Sequence, residues 1–286
     1  IGAHYDLGND MFELFLDPTM MYSSGIFEHE NASMQEASES KLKRICDKLQ
    51  LSPADHVVEI GTGWGGFAIH AATHYGCNIT TTTISDEQFA LAKERITAAG
   101  LDEKITVLKN DYRDLTGKYD KLVSIEMIEA VGDKFLNTFF EKCADLLKPD
   151  GLMLLQVITC PDQHYKNYLK RVDFIQRFVF PGGCLPSQAR MSSAVLDNTD
   201  LNTIHSEDLA PHYAKTLNEW RVRLAANRNK LSAAGYPMRL LRLWDFYLAS
   251  CEAGFTERMT GLMQIVFMKP DARPESYLPD LQPLPV

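Results

Sequence analysis

An α/β fold with a seven-stranded, mostly parallel, doubly wound sheet is predicted by three features of this sequence. Short apolar segments alternate with helix-like stretches after residue 55. Several of the apolar segments, such as residues 152–158, carry almost no polar side chain, which is typical of parallel strands covered on both faces. A glycine-rich turn, Gly61 to Gly66, follows the first strand and precedes a helix. Such a turn predicts that a ligand binds at the carboxyl ends of the strands.

The order of elements follows from hydrophobic period and turn residues. Strands are predicted at residues 57–60, 78–85, 105–109, 121–125, 152–158, 203–208 and 261–269. Helices are predicted at residues 67–74, 86–99, 133–147, 210–234 and 238–253. A turn is expected at Lys148-Pro149-Asp150-Gly151, because proline and glycine favour turns.

A single domain over residues 1–270 is predicted, with an N-terminal helical cap at 1–50 and an irregular tail at 271–286. The segment at about 160–198 breaks the strand–helix alternation and has a helical pattern of its own. We therefore expect it to be a lid insertion over the strand ends, where ligands bind in such sheets.

Composition narrows the class of protein. Hydrophobic residues make up 45% of the chain and charged residues 23%, which fits a globular domain with a sizeable core. The net charge of −9 argues against nucleic acid as a partner. The six cysteines show no C-x-x-C pair, and they indicate reduced thiols in a cytoplasmic protein. No apolar run of transmembrane length occurs in the sequence, so no transmembrane helix is expected, and no signal peptide is predicted from it.

The most informative segment is Glu59-Ile60-Gly61-Thr62-Gly63-Trp64-Gly65-Gly66. Glycine tolerates positive φ and has no Cβ, so the backbone at Gly61 and Gly63 can approach a ligand closely. The spacing differs from the G-x-G-x-x-G pattern of dinucleotide enzymes, in which an acid comes later. The alternative is a tight strand-to-helix turn that binds nothing.

Six segments, in order along the chain, resemble the cyclopropane fatty acid synthase and mycolic acid cyclopropane synthase family. They are His4 to Asp10 with Phe15 to Asp17 and Met21 to Ser24, the glycine-rich segment, Thr83 to Gln88, Ile128 to Gly132, Phe180 to Pro186, and His212 to Leu217. The resemblance implies a Rossmann-like class I fold that uses S-adenosylmethionine (SAM). It also implies methyl transfer to a double bond of an unsaturated phospholipid acyl chain, peripheral attachment of a cytoplasmic enzyme to the membrane, and pairing into a homodimer.

The same resemblance implies a set of SAM-binding residues: Tyr22, Ser23, Glu59, Gly61, Gly63, Thr83, Ile84, Gln88 and Tyr112. No acid ends the second strand to hold the ribose hydroxyls, and Gln88 can take that task as both donor and acceptor. Glu59 is expected to orient the loop or to hold the ligand's ammonium through water. The alternatives are a local cap for Glu59 and an exposed helix position for Gln88.

The family holds a bicarbonate ion as the catalytic base, and the resemblance assigns that task to Glu129, Tyr213, Ser24 and Gln156. Ser24 stands where the family has Cys, and Gln156 stands where it has His. A backbone N–H donates whatever the side chain is, so Ser24 keeps that contact. Gln156 can donate but cannot carry charge as His does. Glu126 is expected to serve the structure or the SAM side.

The resemblance implies an activity like that of a cyclopropane-fatty-acyl-phospholipid synthase. Because the two substitutions weaken the base, the alternative is methyl transfer without ring closure, which gives a methylated or methylene chain or a furan-type precursor. Two other readings remain: a small-molecule N-methyltransferase and a non-catalytic SAM-binding protein. No metal site is predicted, because His70 and His74 lack a third ligand.

The insertion carries basic residues among aromatic ones: Lys166, Lys170, Arg171 and Arg177, interleaved with Tyr165, Tyr168, Phe174 and Phe178. A basic amphipathic helix can lie on an anionic membrane and admit an acyl chain. The alternative is a solvated lid helix. Phe174, Phe178, Phe180, Tyr247 and Phe255 are expected over the site, where aromatic faces stabilise a cation, or else in the ordinary core.

Overall fold

The computed structural model describes residues 8–275 and residue 277. The start of the opening motif, His4 to Leu7, and most of the predicted tail lie outside the described residues. Within them, seven strands form one sheet in the order β3-β2-β1-β4-β5-β7-β6. Their bounds are β1 His56–Ile60, β2 Asn78–Thr82, β3 Ile105–Leu108, β4 Tyr119–Ile125, β5 Leu147–Thr159, β6 Asn202–Asp208 and β7 Gly261–Met268. The predicted mostly parallel sheet of seven strands is confirmed.

The sheet reverses its strand order at β1. β1 pairs in parallel with β2 on one side and with β4 on the other, and β4 pairs in parallel with β5. β7 runs antiparallel to both β5 and β6. In doubly wound sheets the ligand crevice opens at the carboxyl ends of the strands beside such a reversal. That places the site over Gly61, Thr83 and Glu126.

Helices cover the sheet and extend beyond it. Their bounds are α1 Asn9–Glu13, α2 Met34–Leu49, α3 Gly66–Tyr75, α4 Asp86–Ala98, α5 Leu136–Leu146, α6 Asp162–Tyr168, α7 Phe174–Phe178, α8 Gln188–Asn198, α9 Ala210–Ala226, α10 Arg228–Ala233 and α11 Met238–Thr256. Local signals explain several ends. Ser33 and Glu36 form a capping box at the start of α2, and Gly76 ends α3 in the left-handed conformation.

Two elements differ from the sequence expectations. The Lys148 to Gly151 segment belongs to β5, and the register against β4 shifts between Tyr119 and Lys121. This irregularity absorbs the turn residues without ending the strand. The helix predicted at 210–234 breaks at Asn227, whose side-chain amide donates to the carbonyl of Leu14 at 2.8 Å.

Three apolar clusters form the core. One joins α2 and α3 to one face of the sheet, and a second joins α5 and α8 to the other face. The third joins α1 and its following loop to α9 and α11, at the carboxyl edge of the strands. Although α8 falls inside the predicted insertion, it buries Met191, Ala194 and Val195 in the second cluster. It therefore covers the sheet, whereas Phe174 and Ile175 of α7 pack against the third cluster.

Candidate active site

The glycine-rich turn has the backbone that close approach of a ligand requires. Gly61, Gly63 and Gly65 all have positive φ, at 106°, 52° and 83°. A Cβ at Gly61 would lie 3.1 Å from the Met127 side chain, whereas a Cβ at Gly63 would meet nothing within 4 Å. Gly61 therefore packs tightly on one side, and Gly63 borders open space. This arrangement fits the SAM that the resemblance implies.

Glu59 lies under this turn with only 2% of its surface exposed. The Thr81 hydroxyl donates to its Oε2 at 2.6 Å and lies 2.7 Å from the Thr62 hydroxyl. Burial raises the pKa of Glu59 to about 8, and the Thr81 hydrogen bond opposes that rise only in part. A buried carboxyl group held in this way is suited to meet a hydrogen-bonding group of a ligand.

The end of β2 lies beside the turn. Gly61 and Thr62 donate backbone N–H groups to the carbonyl of Thr82, at 3.1 and 3.0 Å. The Thr83 hydroxyl donates to Gln88 Oε1 at 2.8 Å, and Gln88 is buried. The alternative of an exposed Gln88 is therefore excluded.

Ile84 and Tyr112, which the resemblance also assigns to SAM, make no contact among the described residues that indicates a bound ligand. Ile84 is 53% exposed. Tyr112 packs edge-to-face on Phe139 of α5, with ring centroids 5.5 Å apart. Their contact with SAM stays a prediction.

Tyr22 and Ser23 connect the turn to the third core cluster. The Tyr22 and Tyr247 hydroxyls lie 3.2 Å apart, and the Tyr22 ring packs against Phe12 and Trp220 with centroids 5.2 Å away. Ser23 is buried and accepts a hydrogen bond from Lys41 Nζ at 2.6 Å. This segment leads directly into Ser24 and the second half of the site.

Three of the four groups assigned to bicarbonate, on Ser24, Gln156 and Tyr213, meet around Glu126. Its Oε1 accepts from the Ser24 backbone N–H at 2.9 Å and from Gln156 Nε2 at 2.8 Å. Its Oε2 accepts from the Tyr213 hydroxyl at 2.6 Å. The donors that would hold bicarbonate thus hold a protein carboxylate, and bicarbonate does not fit between them. The sequence predicts a structural or SAM-side role for Glu126, and it does not predict these three hydrogen bonds.

The backbone explains how Glu126 reaches this position. It follows β4, its N–H donates to the Gln156 carbonyl at 2.8 Å, and its φ is +50°. Residues other than glycine adopt this left-handed conformation at some energetic cost, and such strain is concentrated at functional sites. The hydrogen bond continues the β4–β5 pairing by one residue, so the turn begins only at Glu126 itself.

Charges and burial around Glu126 oppose one another. Burial raises the pKa of its carboxyl, while the Tyr213, Gln156 and Ser24 hydrogen bonds and the positive charge of Lys41 lower it, and the net shift is upward. Burial lowers the pKa of Lys41 to about 8, against the charges of Glu126 and Asp17. Burial also raises the pKa of Tyr213 well above its ordinary value. Tyr213 is therefore a donor at neutral pH.

Glu129 lies beside this group without joining it. Its Oε1 accepts from the Ile158 backbone N–H at 2.6 Å, and its Oε2 is buried with no hydrogen-bond partner among the described residues. Burial and then the negative charge of Glu126 raise the pKa of Glu129 to about 8. Glu129 is consequently a neutral acid at neutral pH, with a proton that it can donate in a hydrogen bond.

Aromatic side chains pack near this group of residues. Tyr213 stacks on Phe255 with centroids 4.5 Å apart, and Phe180 lies 5.9 Å from Tyr247. Phe178, by contrast, is 55% exposed, and Phe174 packs against Phe246 on α11. The five aromatic residues predicted over the site therefore divide into an inner and an outer group.

Sequence reasoning missed Glu126 and Lys41 as members of the site. For Lys41, the signal was its position between Ala37 and Ile45 on the buried face of α2, where a lysine is unusual. For Glu126, the only signal was an acid at the end of a core strand. Its role depends on residues more than 80 positions away.

Two absences concern only the described part of the chain. Over residues 8–275 and 277, no helix combines the length and apolarity needed to cross a bilayer. Over the same residues, no group of three or more potential ligands is arranged to hold a metal ion.

Comparison with known proteins places this geometry in context. The chain matches the family described as mycolic acid cyclopropane synthetase over residues 1–265. It is 39% identical over 262 residues to the tuberculostearic acid methyltransferase UfaA1 of Mycobacterium tuberculosis, covering 89% of this chain and 61% of that protein. It is 38% identical over 266 residues to the cyclopropane-fatty-acyl-phospholipid synthase of Escherichia coli strain K12, covering 93% and 66%. The chain thus spans less than two thirds of the length of both relatives.

A solved structure agrees with the sequence comparisons. The mycolic acid cyclopropane synthase CmaA1, complexed with SAH and CTAB, superposes with a TM-score of 0.87 and 31% identity. The match covers 94% of this chain and 97% of that one.

Proposed function

Because the chain belongs to the mycolic acid cyclopropane synthetase family and is a SAM-dependent methyltransferase, we propose that it methylates a double bond in an unsaturated acyl chain of a phospholipid. The observation that carries the proposal is the carboxylate of Glu126, held by Ser24, Gln156 and Tyr213. It supplies a base at the place where the family is expected to hold an anion.

The reaction balances in two steps. The alkene electron pair forms a bond to the methyl carbon supplied by SAM, the carbon–sulfur bond breaks, and the sulfur keeps that pair. The acyl chain then carries a positive charge on the neighbouring carbon. A proton leaves to Glu126, and its C–H electron pair neutralises the cation.

Which proton leaves decides the product. Loss from a carbon beside the cation restores a double bond and leaves a methyl branch, whereas loss from the added methyl closes a three-membered ring. We expect the branched product, because Glu126 is fixed to the end of β4 and both its oxygens accept hydrogen bonds. A free ion could follow the transferred methyl, and this carboxylate cannot. The relative named as a tuberculostearic acid methyltransferase also favours methyl transfer.

The remaining side chains have roles that fit a carbocation. Tyr213 and Gln156 orient the base, and the Lys41 charge favours its ionised form. The inner aromatic faces of Phe180, Tyr247 and Phe255 can stabilise positive charge without forming a bond to it.

The product assay tests this function directly. The protein is incubated with SAM and liposomes of monounsaturated and conjugated diunsaturated phospholipids, and the acyl chains are analysed by mass spectrometry and NMR. We expect a mass gain of one CH₂ group with methyl-branch signals. Cyclopropane proton signals would overturn the branched assignment. Bound SAM with no lipid product would overturn the lipid substrate, and methylation of an added amine would then indicate the small-molecule reading.

We further propose that α6, α7 and the loop between them meet an anionic membrane. Val172 is 74% exposed and Phe178 is 55% exposed. The same short segment carries four exposed basic residues: Lys166, Lys170, Arg171 and Arg177. Apolar side chains among basic ones suit the interface of a bilayer with anionic head groups.

Liposome sedimentation with paired variants tests the membrane surface. Val172→Ser and Phe178→Ser should each lower binding to anionic vesicles. Leu196→Ser is the matched control, because Leu196 is 80% exposed on α8, away from this segment. Equal loss of binding in all three variants would argue against the surface, as would unchanged binding in the first two.

A further inference from the structure

We propose that Lys48 is a positioning residue for the reaction: through Gln264 it fixes the orientation of the Gln156 amide that donates to Glu126. The proposal rests on the proposed function, in which Glu126 is the base. It assigns a task to a buried lysine that neither the SAM loop nor the anion site explains.

The four groups form one continuous chain of hydrogen bonds. Lys48 Nζ donates to Gln264 Oε1 at 2.8 Å, Gln264 Nε2 donates to Gln156 Oε1 at 2.9 Å, and Gln156 Nε2 donates to Glu126 Oε1 at 2.8 Å. Gln156 and Gln264 are direct partners across β5 and β7, and both are fully buried. Lys48 reaches them from α2 and is itself buried.

The direction of this chain follows from the chemistry of its two ends. A lysine ammonium only donates hydrogen bonds, so the Gln264 oxygen must face it. The Gln264 nitrogen then faces Gln156 and requires an oxygen there. The Gln156 nitrogen is left to face Glu126, which as a carboxylate only accepts. The oxygen and nitrogen of a side-chain amide occupy almost the same positions when the amide is turned over. Here the charged groups at the two ends select one of the two orientations.

Lys48 is held in place from its other side. It forms an ion pair with Glu207 of β6, which also accepts a hydrogen bond from Arg44 Nε at 2.7 Å. Burial raises the pKa of Glu207, but the hydrogen bonds from Arg44 and Lys48 outweigh it and lower that pKa to about 2. The acid therefore stays ionised and keeps a charged partner for the buried lysine.

This chain of hydrogen bonds orients a donor toward Glu126, a task that a single histidine could perform. The tautomer of a histidine is fixed by one further hydrogen bond at its other ring nitrogen. A buried glutamine instead needs one partner for its amide oxygen and another for its amide nitrogen. If Gln156 turned over, its oxygen would face Glu126 Oε1 and raise the pKa of that carboxyl. Lys48 acts entirely through the side chains of Gln264 and Gln156. Its loss should therefore change the pKa of the Glu126 base without removing a contact to the substrate.

The experiment compares Lys48→Met, Lys48→Arg and Lys43→Met in the full chain. Methionine removes the donor at similar length, and arginine keeps a donor-only group. Lys43→Met is the control, because Lys43 lies on the same helix with a 66% exposed side chain and pairs with Asp47. The readouts are kcat and KM on unsaturated phospholipid liposomes between pH 5.5 and 9, SAM affinity by calorimetry, and melting temperature.

We expect Lys48→Met to lower kcat roughly tenfold and to move the acid limb of the kcat/KM profile upward by about one pH unit, with SAM affinity unchanged. Lys48→Arg should restore most of the rate. The charged or titratable groups around the two ends are Lys41, Glu129 and Tyr213 at Glu126, and Glu207, Arg44 and His205 at Lys48. All of them are unchanged in these variants.

A lower melting temperature with an unmoved acid limb would overturn the proposal and leave Lys48 a structural residue. A second measurement does not depend on lipid turnover. In ¹⁵N-glutamine-labelled protein, Lys48→Met should shift the side-chain amide signals of both Gln156 and Gln264, assigned by single Gln→Met variants, whereas Lys43→Met should not. An inactive wild type would count against the proposed function, and the amide signals would still decide the role of Lys48.

Discussion

The turn proposed to bind SAM and the group around Glu126 proposed as the base are built in different ways. Glu59 to Gly66 is one stretch of chain, and its backbone shape comes from glycines at every second position, Gly61, Gly63 and Gly65. Glu126 instead collects Ser24, Gln156 and Tyr213 from the N-terminal region, β5 and α9. The first half depends on local conformation, and the second depends on side chains brought together by the whole fold. Substitutions should therefore separate binding of SAM from removal of the proton.

The largest expected effect is that of Glu126→Gln. The amide cannot accept the proton, so product formation should fall about 10²- to 10⁴-fold while SAM affinity stays within a factor of about two. Steady-state rates and calorimetry measure the two quantities. Glu129→Gln is the matched comparison, because Glu129 is the neighbouring buried acid. A greater loss in Glu129→Gln than in Glu126→Gln would assign the base to Glu129 instead.

Glu126→Gly should sharpen the same contrast. Glycine accepts the positive φ of residue 126, and the variant frees the donors of Ser24, Gln156 and Tyr213. Added bicarbonate can then occupy the vacated position, and we expect it to raise the residual rate roughly tenfold. Glu129→Gly with the same additions is the control and should show no rise. No response of Glu126→Gly to bicarbonate, with SAM still bound, would contradict an anion site at this place.

On the other side of the comparison, Gly61→Ala should weaken SAM binding by about tenfold or more, because a Cβ disfavours the loop's backbone conformation. The added Cβ would also lie 3.1 Å from Met127. Gly100→Ala introduces a side chain at another positive φ, +68°, with nothing within 4 Å. Calorimetric SAM affinity should fall in the first variant only. Equal affinity in both would mean that SAM does not depend on the shape of this turn.

Stability against pH gives a further test of Glu129. The pKa of Glu129 is about 8 in the folded protein against an ordinary value of 4.5, so the folded state keeps a proton that the unfolded state loses between these values. The free energy of unfolding should therefore fall as pH rises from about 4.5 to 8, by at most about 1.4 kcal/mol per pH unit from this group.

Glu129→Gln removes this contribution and should flatten the curve in urea unfolding measured at pH 5.5, 7 and 8. Glu59 contributes with the same sign in both proteins, so the difference between the two curves isolates Glu129. Parallel curves for wild type and variant would show that Glu129 ionises normally in the fold.

Much of this protein could be predicted from sequence because its signals are local. The alternation of apolar segments with amphipathic ones predicts seven strands at nearly the observed positions. The family resemblance predicts a SAM-dependent methyltransferase, which the comparisons confirm. The glycine positions with positive φ follow from the same short segment. The resemblance also named Ser24, Gln156 and Tyr213, which the fold brings to one place.

The sequence by itself determined the elements, their order and the glycine-rich turn, since each depends on side chains close together along the chain. Only the tertiary structure decided that the three donors surround Glu126 instead of a bicarbonate ion, and that Lys48 and Gln264 stand behind Gln156. The physical reason is that a buried carboxylate costs free energy unless hydrogen-bond donors surround it. Those partners are fixed by sheet register and helix packing, which residue spacing does not reveal.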